Sequence, residues 1–258
     1  MLLAFDIGNT ETTVGLFAGE TLRRQWRLTT NIPRTPDELC VVLEQLVQGA
    51  GVSATSVRAV AICSVVPPAT GMFVEACTQA FRVTPLVVNA KSPLPITLDV
   101  DDPPSVGADR VVNTLAASQL FKRDAIVVDL GTATTYDCIT AAGSFIGGVI
   151  QPGVRTSAET LVRKTSQLPA TALAAPAKVI GRNTVDNINS GVVFGSADSI
   201  DGLIRRIKKE WPTSDTPYVI ATGGLAQVFQ SICLEFDEVD PALTLKGLRI
   251  ASYILGVI

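Results

Sequence analysis

Leu2-Leu3-Ala4-Phe5-Asp6-Ile7-Gly8-Asn9-Thr10 opens the chain, and Ala125-Ile126-Val127-Val128-Asp129-Leu130-Gly131-Thr132-Ala133-Thr134 restates it close to half of the 258 residues later. Each apolar run is unbroken, as expected of a central strand covered on both faces. An aspartate near the end of each run puts a carboxylate at the mouth of the sheet, where open α/β sheets place their ligands. Gly8 and Gly131 permit a tight turn with outward-facing N–H groups, and Thr10, Thr12, Thr132 and Thr134 add hydroxyls. Amides and hydroxyls together form a phosphate cradle. Further β-rich segments follow at 12–17 and 134–139, so each turn joins strand to strand, whereas a Walker-type glycine loop opens a helix. One Asp-x-Gly is common in ordinary hairpins. Two in matching contexts predict two similar domains with a phosphate cleft between them and a carboxylate at each strand tip.

Composition narrows the chemistry. A 47% hydrophobic content supports a sizeable core. No apolar run reaches the length of a membrane span and no basic segment precedes an apolar stretch, so neither a membrane nor secretion is expected. The five cysteines (40, 63, 77, 138 and 233) form no CxxC pair and read as reduced thiols in a cytoplasmic protein. Net charge is −3, and the short basic stretch Arg205-Arg206-Ile207-Lys208-Lys209 reads as a solvated helix face, so nucleic acid is not indicated. Histidine is absent. Imidazole relays, Ser-His-Asp triads and zinc–histidine sites are thereby excluded, and a general base must be a carboxylate, lysine, tyrosine or thiol.

After the first hairpin a third strand is expected at 21–29, then a helix opened by Thr35-Pro36-Asp37-Glu38, a capping box with proline at the first helical position. Strand 57–64, helix 67–81 and strand 84–88 complete half of a ribonuclease-H-like domain. Prolines 93, 95, 103 and 104 mark a rigid surface segment leading to Gly107-Ala108-Asp109-Arg110 and a helix over 111–121. The second half repeats the scheme with strands 125–129, 133–139 and 144–151. A helix follows with Thr156 and Glu159 as its capping pair, then a long helix from about Thr184 to Trp211. Strand 218–221 ends in Thr222-Gly223-Gly224, and a last helix starts at Asp240-Pro241. The fold class is α/β, with duplicated ribonuclease-H-like domains, 1–117 and 118–258, their mixed sheets flanked by helices and the last helix free to join the first domain.

Two carboxylates beside phosphates call for cations, with magnesium bridging phosphate oxygens through water. Asp109 and Arg110 read either as an N-cap and a helix-terminal ion pair or as a base and a carboxylate grip. Thr222-Gly223-Gly224 reads as a glycine turn or as amides lining a nucleotide. Gly191 and Gly195, four apart on the long helix, fit close intramolecular packing or a helix-pair dimer interface.

Taken with Ser64-Val65-Val66-Pro67, Gly147-Gly148-Val149-Ile150-Gln151-Pro152-Gly153 and Ile180-Gly181-Arg182-Asn183-Thr184, and in this order along the whole chain, these motifs resemble the acetate and sugar kinase, heat-shock chaperone and actin superfamily. Within it the chain is similar to the type III pantothenate kinases. That resemblance implies an actin-like ATPase fold and ATP-dependent phosphorylation of pantothenate to 4'-phosphopantothenate, the first step of coenzyme A synthesis. It implies that Asp6, Ile7, Gly8, Asn9, Thr10, Glu11, Thr12 and Thr13 contact ATP together with Thr132, and that Asp129 holds a monovalent cation, potassium or ammonium. Pantothenate would be bound by Val100, Gly107, Ala108, Asp109 and Arg110, with Asp109 the proton acceptor and Thr184 reaching it across a homodimer interface.

Two positions depart from the family pattern. Glu11 stands where asparagine is common, and its side chain is expected to point away from the phosphates. Val100 lies near where the family often carries an aromatic residue ahead of Gly-x-Asp-Arg. The competing function is a non-catalytic ATP-binding accessory or regulatory protein on the same scaffold, against which Asp6, Asp129 and Asp109 argue. A chaperone or filament ATPase would need subdomains that 258 residues do not supply.

Overall fold

A computed structural model describes residues 1–258. In chain order the first elements are β1 (Leu2–Ile7), β2 (Glu11–Ala18), β3 (Thr21–Thr29), α1 (Pro36–Gly49), β4 (Ala59–Ser64), α2 (Pro67–Phe81), β5 (Leu86–Val88), the two-residue β6 (Thr97–Leu98) and α3 (Ala108–Phe121). Then come β7 (Ala125–Leu130), β8 (Ala133–Ile139), β9 (Ser144–Pro152), α4 (Val154–Lys164), α5 (Thr184–Asn189), α6 (Gly195–Glu210), β10 (Tyr218–Thr222), α7 (Ala226–Phe229), β11 (Glu238–Val239) and α8 (Leu243–Ile254). The chain divides into two compact units, Met1–Leu120 with Leu243–Ile258, and Phe121–Ala242. The division falls three residues beyond the boundary expected at 117/118, and α8 counts with the first unit.

In the first unit the strands run β3-β2-β1-β4-β5, and in the second β9-β8-β7-β10-β11 follow the same order. The duplication extends to register. Asp6 is paired with Thr13 of antiparallel β2 and with Cys63 of parallel β4, and Asp129 with Thr135 of antiparallel β8 and Thr222 of parallel β10.

The burial of β1 explains its unbroken apolar run. Leu3, Phe5 and Ile7 share one core with Leu39 and Leu43 of α1 and Phe73 of α2, while Leu2 and Ala4 share another with Leu115 of α3 and Leu248 of α8. Phe5 and Phe73 meet edge to face at 5.6 Å. In the second unit Ile126, Val128 and Leu130 of β7 share a core with Ile200 and Ile204 of α6 and Phe229 of α7. All five cysteines are free thiols, four of them buried. No helix is long and apolar enough to cross a membrane.

Local signals fared differently. The capping box of α1 forms as expected: Glu38 N–H donates to Thr35 Oγ1 at 3.2 Å and Thr35 N–H to Glu38 Oε2 at 2.7 Å. The capping pair expected on α4 does not form. That helix starts at Val154 after Gly153, and the Thr156 hydroxyl donates instead to the Thr132 carbonyl at 2.7 Å. The long helix is interrupted by a π-helical stretch, Ser190–Phe194, between α5 and α6. α8 begins at Leu243, because Asp240 Oδ1 accepts the Ala242 N–H at 3.1 Å and holds the preceding residues in a turn. The basic stretch on α6 is not wholly solvated: Lys208 and Arg205 reach Glu235 at 2.7 and 3.3 Å.

Asp124, just before β7, anchors the second unit away from the strand tip. It accepts from Trp211 Nε1 at 2.7 Å, from the Ala141 N–H at 2.7 Å and from Thr213 Oγ1 at 2.9 Å. Burial pushes its pKa up, but the Trp211, Ala141 and Thr213 bonds outweigh that and hold the carboxyl below its usual range. Asp124→Ala is expected to lower stability by roughly 3 kcal/mol at pH 7, chiefly by leaving buried donors unsatisfied. Because the folded-state pKa is depressed, the carboxylate's contribution is present above its unfolded pKa and fades as pH falls through the folded value. Urea unfolding at pH 7 and at pH 3 should show the difference between variant and parent shrinking in acid.

Candidate active site

In the first unit, β1 carries Asp6 to the edge of its sheet and the chain turns at once into β2, with Gly8 N–H donating to the Glu11 carbonyl at 3.1 Å. Asn9 and Thr10 lie exposed at the tip of this turn, and Thr12 is buried, its hydroxyl 2.9 Å from that of Thr30. Glu11 Oε2 stands 3.7 Å from Arg27 Nη1 of β3.

Asp109 lies in the first turn of α3 and accepts the Arg110 N–H at 2.8 Å. A Cβ on residue 107 would come within 2.6 Å of Asp109 Oδ1 and 3.5 Å of Val65 Cγ1. Glycine at 107 is thus what lets the carboxylate fold back over the helix start. Asp6 and Asp109 feel each other. Burial, and then the charge of Asp109, push the Asp6 pKa up to about 7, opposed by the Cys63 thiol, which donates to Asp6 Oδ1 at 3.5 Å. Burial also raises Asp109, against the Arg110 N–H and guanidinium. Two acids held where their ionised forms are disfavoured suit a place that a cation and a proton acceptor share.

This has a stability consequence with a definite sign. The folded protein binds a proton at Asp6 that the unfolded chain has already released, so between about pH 4 and pH 7 stability falls as pH rises. Asp6→Asn is expected to stabilise the ligand-free protein by on the order of 2 kcal/mol at pH 8 and by little at pH 4. Melting curves at the two pH values check this.

In the second unit Asp129 occupies the corresponding tip of β7. Gly131 N–H donates to the Ala133 carbonyl at 3.1 Å, closing the turn, and the exposed Thr132 is held through its carbonyl by Gly153 N–H at 3.1 Å and by Thr156. The turn after β10 leans on Asp129: Gly223 has φ +90°, and a Cβ there would overlap Asp129 Oδ1 and come within 2.7 Å of Leu130 N. Thr222 Oγ1 is buried without a hydrogen-bond partner, at the strand position paired with Asp129. A carboxylate and an orphaned hydroxyl on neighbouring strands are hard oxygen donors, a set that fits an alkali cation.

The model of the type III pantothenate kinase family matches residues 2–206. The chain belongs to that family. The type III pantothenate kinase of Roseiflexus castenholzii is 44% identical to it over 250 residues, 97% of either chain. Among solved structures, a Baf family protein of Campylobacter jejuni superposes with a TM-score of 0.60 at 18% identity, covering 99% of this chain and 100% of that one. The ADPNP-bound activator of 2-hydroxyisocaproyl-CoA dehydratase from Clostridium difficile does so with 0.55 at 11% identity, covering 100% and 97%. At such identities the likeness shows the fold, that of the actin-like ATPases.

The remaining residues expected of this pantothenate kinase family member are distributed as follows. Val100 is half-buried in the segment before Gly107, in the same unit as Asp109. Thr184 is exposed at the start of α5, behind the N-cap Asn183, whose Oδ1 accepts the Asp186 N–H at 2.9 Å. Gly191 and Gly195 do not serve close intramolecular packing, since a Cβ at either would meet open space. Sequence reasoning missed Cys63 as a partner of Asp6; its only signal was a polarisable residue at the end of the parallel strand.

Proposed function

We propose that the chain phosphorylates pantothenate with ATP, yielding 4'-phosphopantothenate and ADP, in the cytoplasm and at the first step of coenzyme A synthesis. The observation that carries this is the meeting of Asp109 and Asp6 within one unit of a family member. Asp109 takes the proton of the primary hydroxyl as that oxygen attacks the γ-phosphorus, and the bond to the ADP oxygen breaks in line. Gly107, Ala108, Arg110 and Val100 position the acceptor. Residues Asp6 to Thr13 and Thr132 contact ATP, through turn amides and hydroxyls that stabilise developing phosphate charge. Magnesium, when bound, neutralises the phosphate oxygens, and Asp129, with the Thr222 hydroxyl beside it, holds potassium or ammonium. Glu11, drawn toward Arg27, is kept from adding repulsion at the phosphate turn. The test is pantothenate-dependent ADP release with magnesium and potassium present, activity that should fall sharply when potassium is replaced by sodium.

A homodimer completes the acceptor site in this proposal, with Thr184 of the partner subunit touching pantothenate. It is supported by exposed apolar side chains on the second unit: Ile180 is 85% and Val185 45% exposed. The open space over Gly191 and Gly195 supports it as well. Thr184→Arg is expected to yield a monomer in sedimentation with activity reduced at least about tenfold. A monomeric variant with full activity would contradict the shared site.

A further inference from the structure

The residue paired with a strand-tip aspartate on the neighbouring parallel strand is Cys63 in the first unit and Thr222 in the second. The two behave differently. Thr222 Oγ1 is buried without a hydrogen-bond partner, whereas the Cys63 thiol donates to Asp6 Oδ1 at 3.5 Å. Packing and hydrogen bonds fix that thiol. Cys63 is fully buried and shares a core with Ala4 of β1, Val88 of β5, and Ala108 and Val112 of α3. The residues after it pin the end of β4. Val65 N–H donates to the Ile7 carbonyl at 3.1 Å, and Ser64 Oγ accepts the Val66 N–H at 3.0 Å and the Thr70 hydroxyl at 2.7 Å. The Ser64-Val65-Val66-Pro67 motif thus holds the donor in register with the carboxylate.

A thiol is small and apolar enough for that core, yet it still donates to an ionised oxygen. Such a charge-assisted bond is stronger than a neutral one. It favours the ionised carboxyl, opposing the burial that raises the Asp6 pKa. It also commits one carboxylate oxygen and so restricts rotation about the Cβ–Cγ bond. We propose that Cys63 is a positioning residue whose thiol orients the Asp6 carboxylate at the turn that contacts ATP. This rests on the function proposed above.

The test uses the full-length parent, Cys63→Ala, Cys63→Val, Cys63→Ser, Asp6→Asn and the Cys63→Ala/Asp6→Asn double variant. The infrared S–H stretching band that Cys63→Ala removes from the ligand-free parent is expected to move to higher frequency in Asp6→Asn, which reports the bond without any turnover. Calorimetry with ATP and magnesium supplies the second readout. Cys63→Ala and Cys63→Val are expected to weaken ATP binding about tenfold, while Cys63→Ser, which keeps a donor, stays within about threefold of the parent. Valine fills the volume that alanine empties, so a loss common to both is not a cavity effect. In the Asp6→Asn background Cys63→Ala should change the affinity by less than about twofold, because its effect runs through the carboxylate; a packing role alone would repeat the full loss there. An S–H band indifferent to Asp6→Asn, equal losses in the two backgrounds, or a serine variant no better than the other two would overturn the assignment. Coupled losses of ATP affinity in a protein that does not turn over pantothenate would sink the kinase proposal and leave Cys63 assigned. A parent that does not bind ATP with magnesium would sink both.

Discussion

Asp109→Asn is expected to lower kcat by roughly 10²- to 10⁴-fold while leaving the protein folded. The amide keeps an oxygen to accept the Arg110 N–H, now 2.8 Å from Asp109 Oδ1, but it cannot take a proton. It also removes a carboxylate that burial disfavours, so the variant should melt no lower than the parent at pH 8. The pH profile supplies a second signature. Because burial raises the Asp109 pKa, the parent's kcat/KM should fall in acid at a pH above the ordinary carboxylate range. That limb should vanish from the residual activity of the variant. Turnover retained within about threefold in Asp109→Asn would remove Asp109 from the mechanism.

Gly223→Ala should be the most damaging small substitution in the second unit. A methyl group there requires a left-handed backbone at φ +90° and meets Asp129 Oδ1 and the Leu130 backbone, which cannot move aside without breaking the β7 ladder. Strain and overlap together should cost roughly 3 kcal/mol or more in urea unfolding. Gly19→Ala is the control. It has φ +58° with open space around the added methyl, so only the conformational cost, about 1 kcal/mol, should appear. Gly223→Ala should also displace the Asp129 carboxylate and raise the potassium concentration needed for half-maximal activity. Gly19→Ala should not.

The strand tips were legible in the sequence because their signals are local: an apolar run, an aspartate and a glycine turn, twice. The capping box on α1 was legible for the same reason. Thr156 was misassigned because its partner, the Thr132 carbonyl, lies across a turn that only the folded sheet brings near. The Cys63 contact with Asp6 depends on the parallel register of β1 and β4, which no short window encodes. Of the two readings of Thr222-Gly223-Gly224, the glycine turn is the one that forms, and it lies against Asp129. The place of α8 in the first unit follows from the apolar pattern of Leu245, Leu248 and Ala251, which share a core with Leu2 and Ala4 of β1.

The most direct measurement is the identity of the product. Purified protein incubated with ATP, magnesium, potassium and pantothenate should give one phosphate ester on the primary hydroxyl, equimolar with ADP, by phosphorus NMR and mass spectrometry. ATP consumption that ignores pantothenate, or an ester on the secondary hydroxyl, would contradict the assignment of Asp109 and of the acceptor.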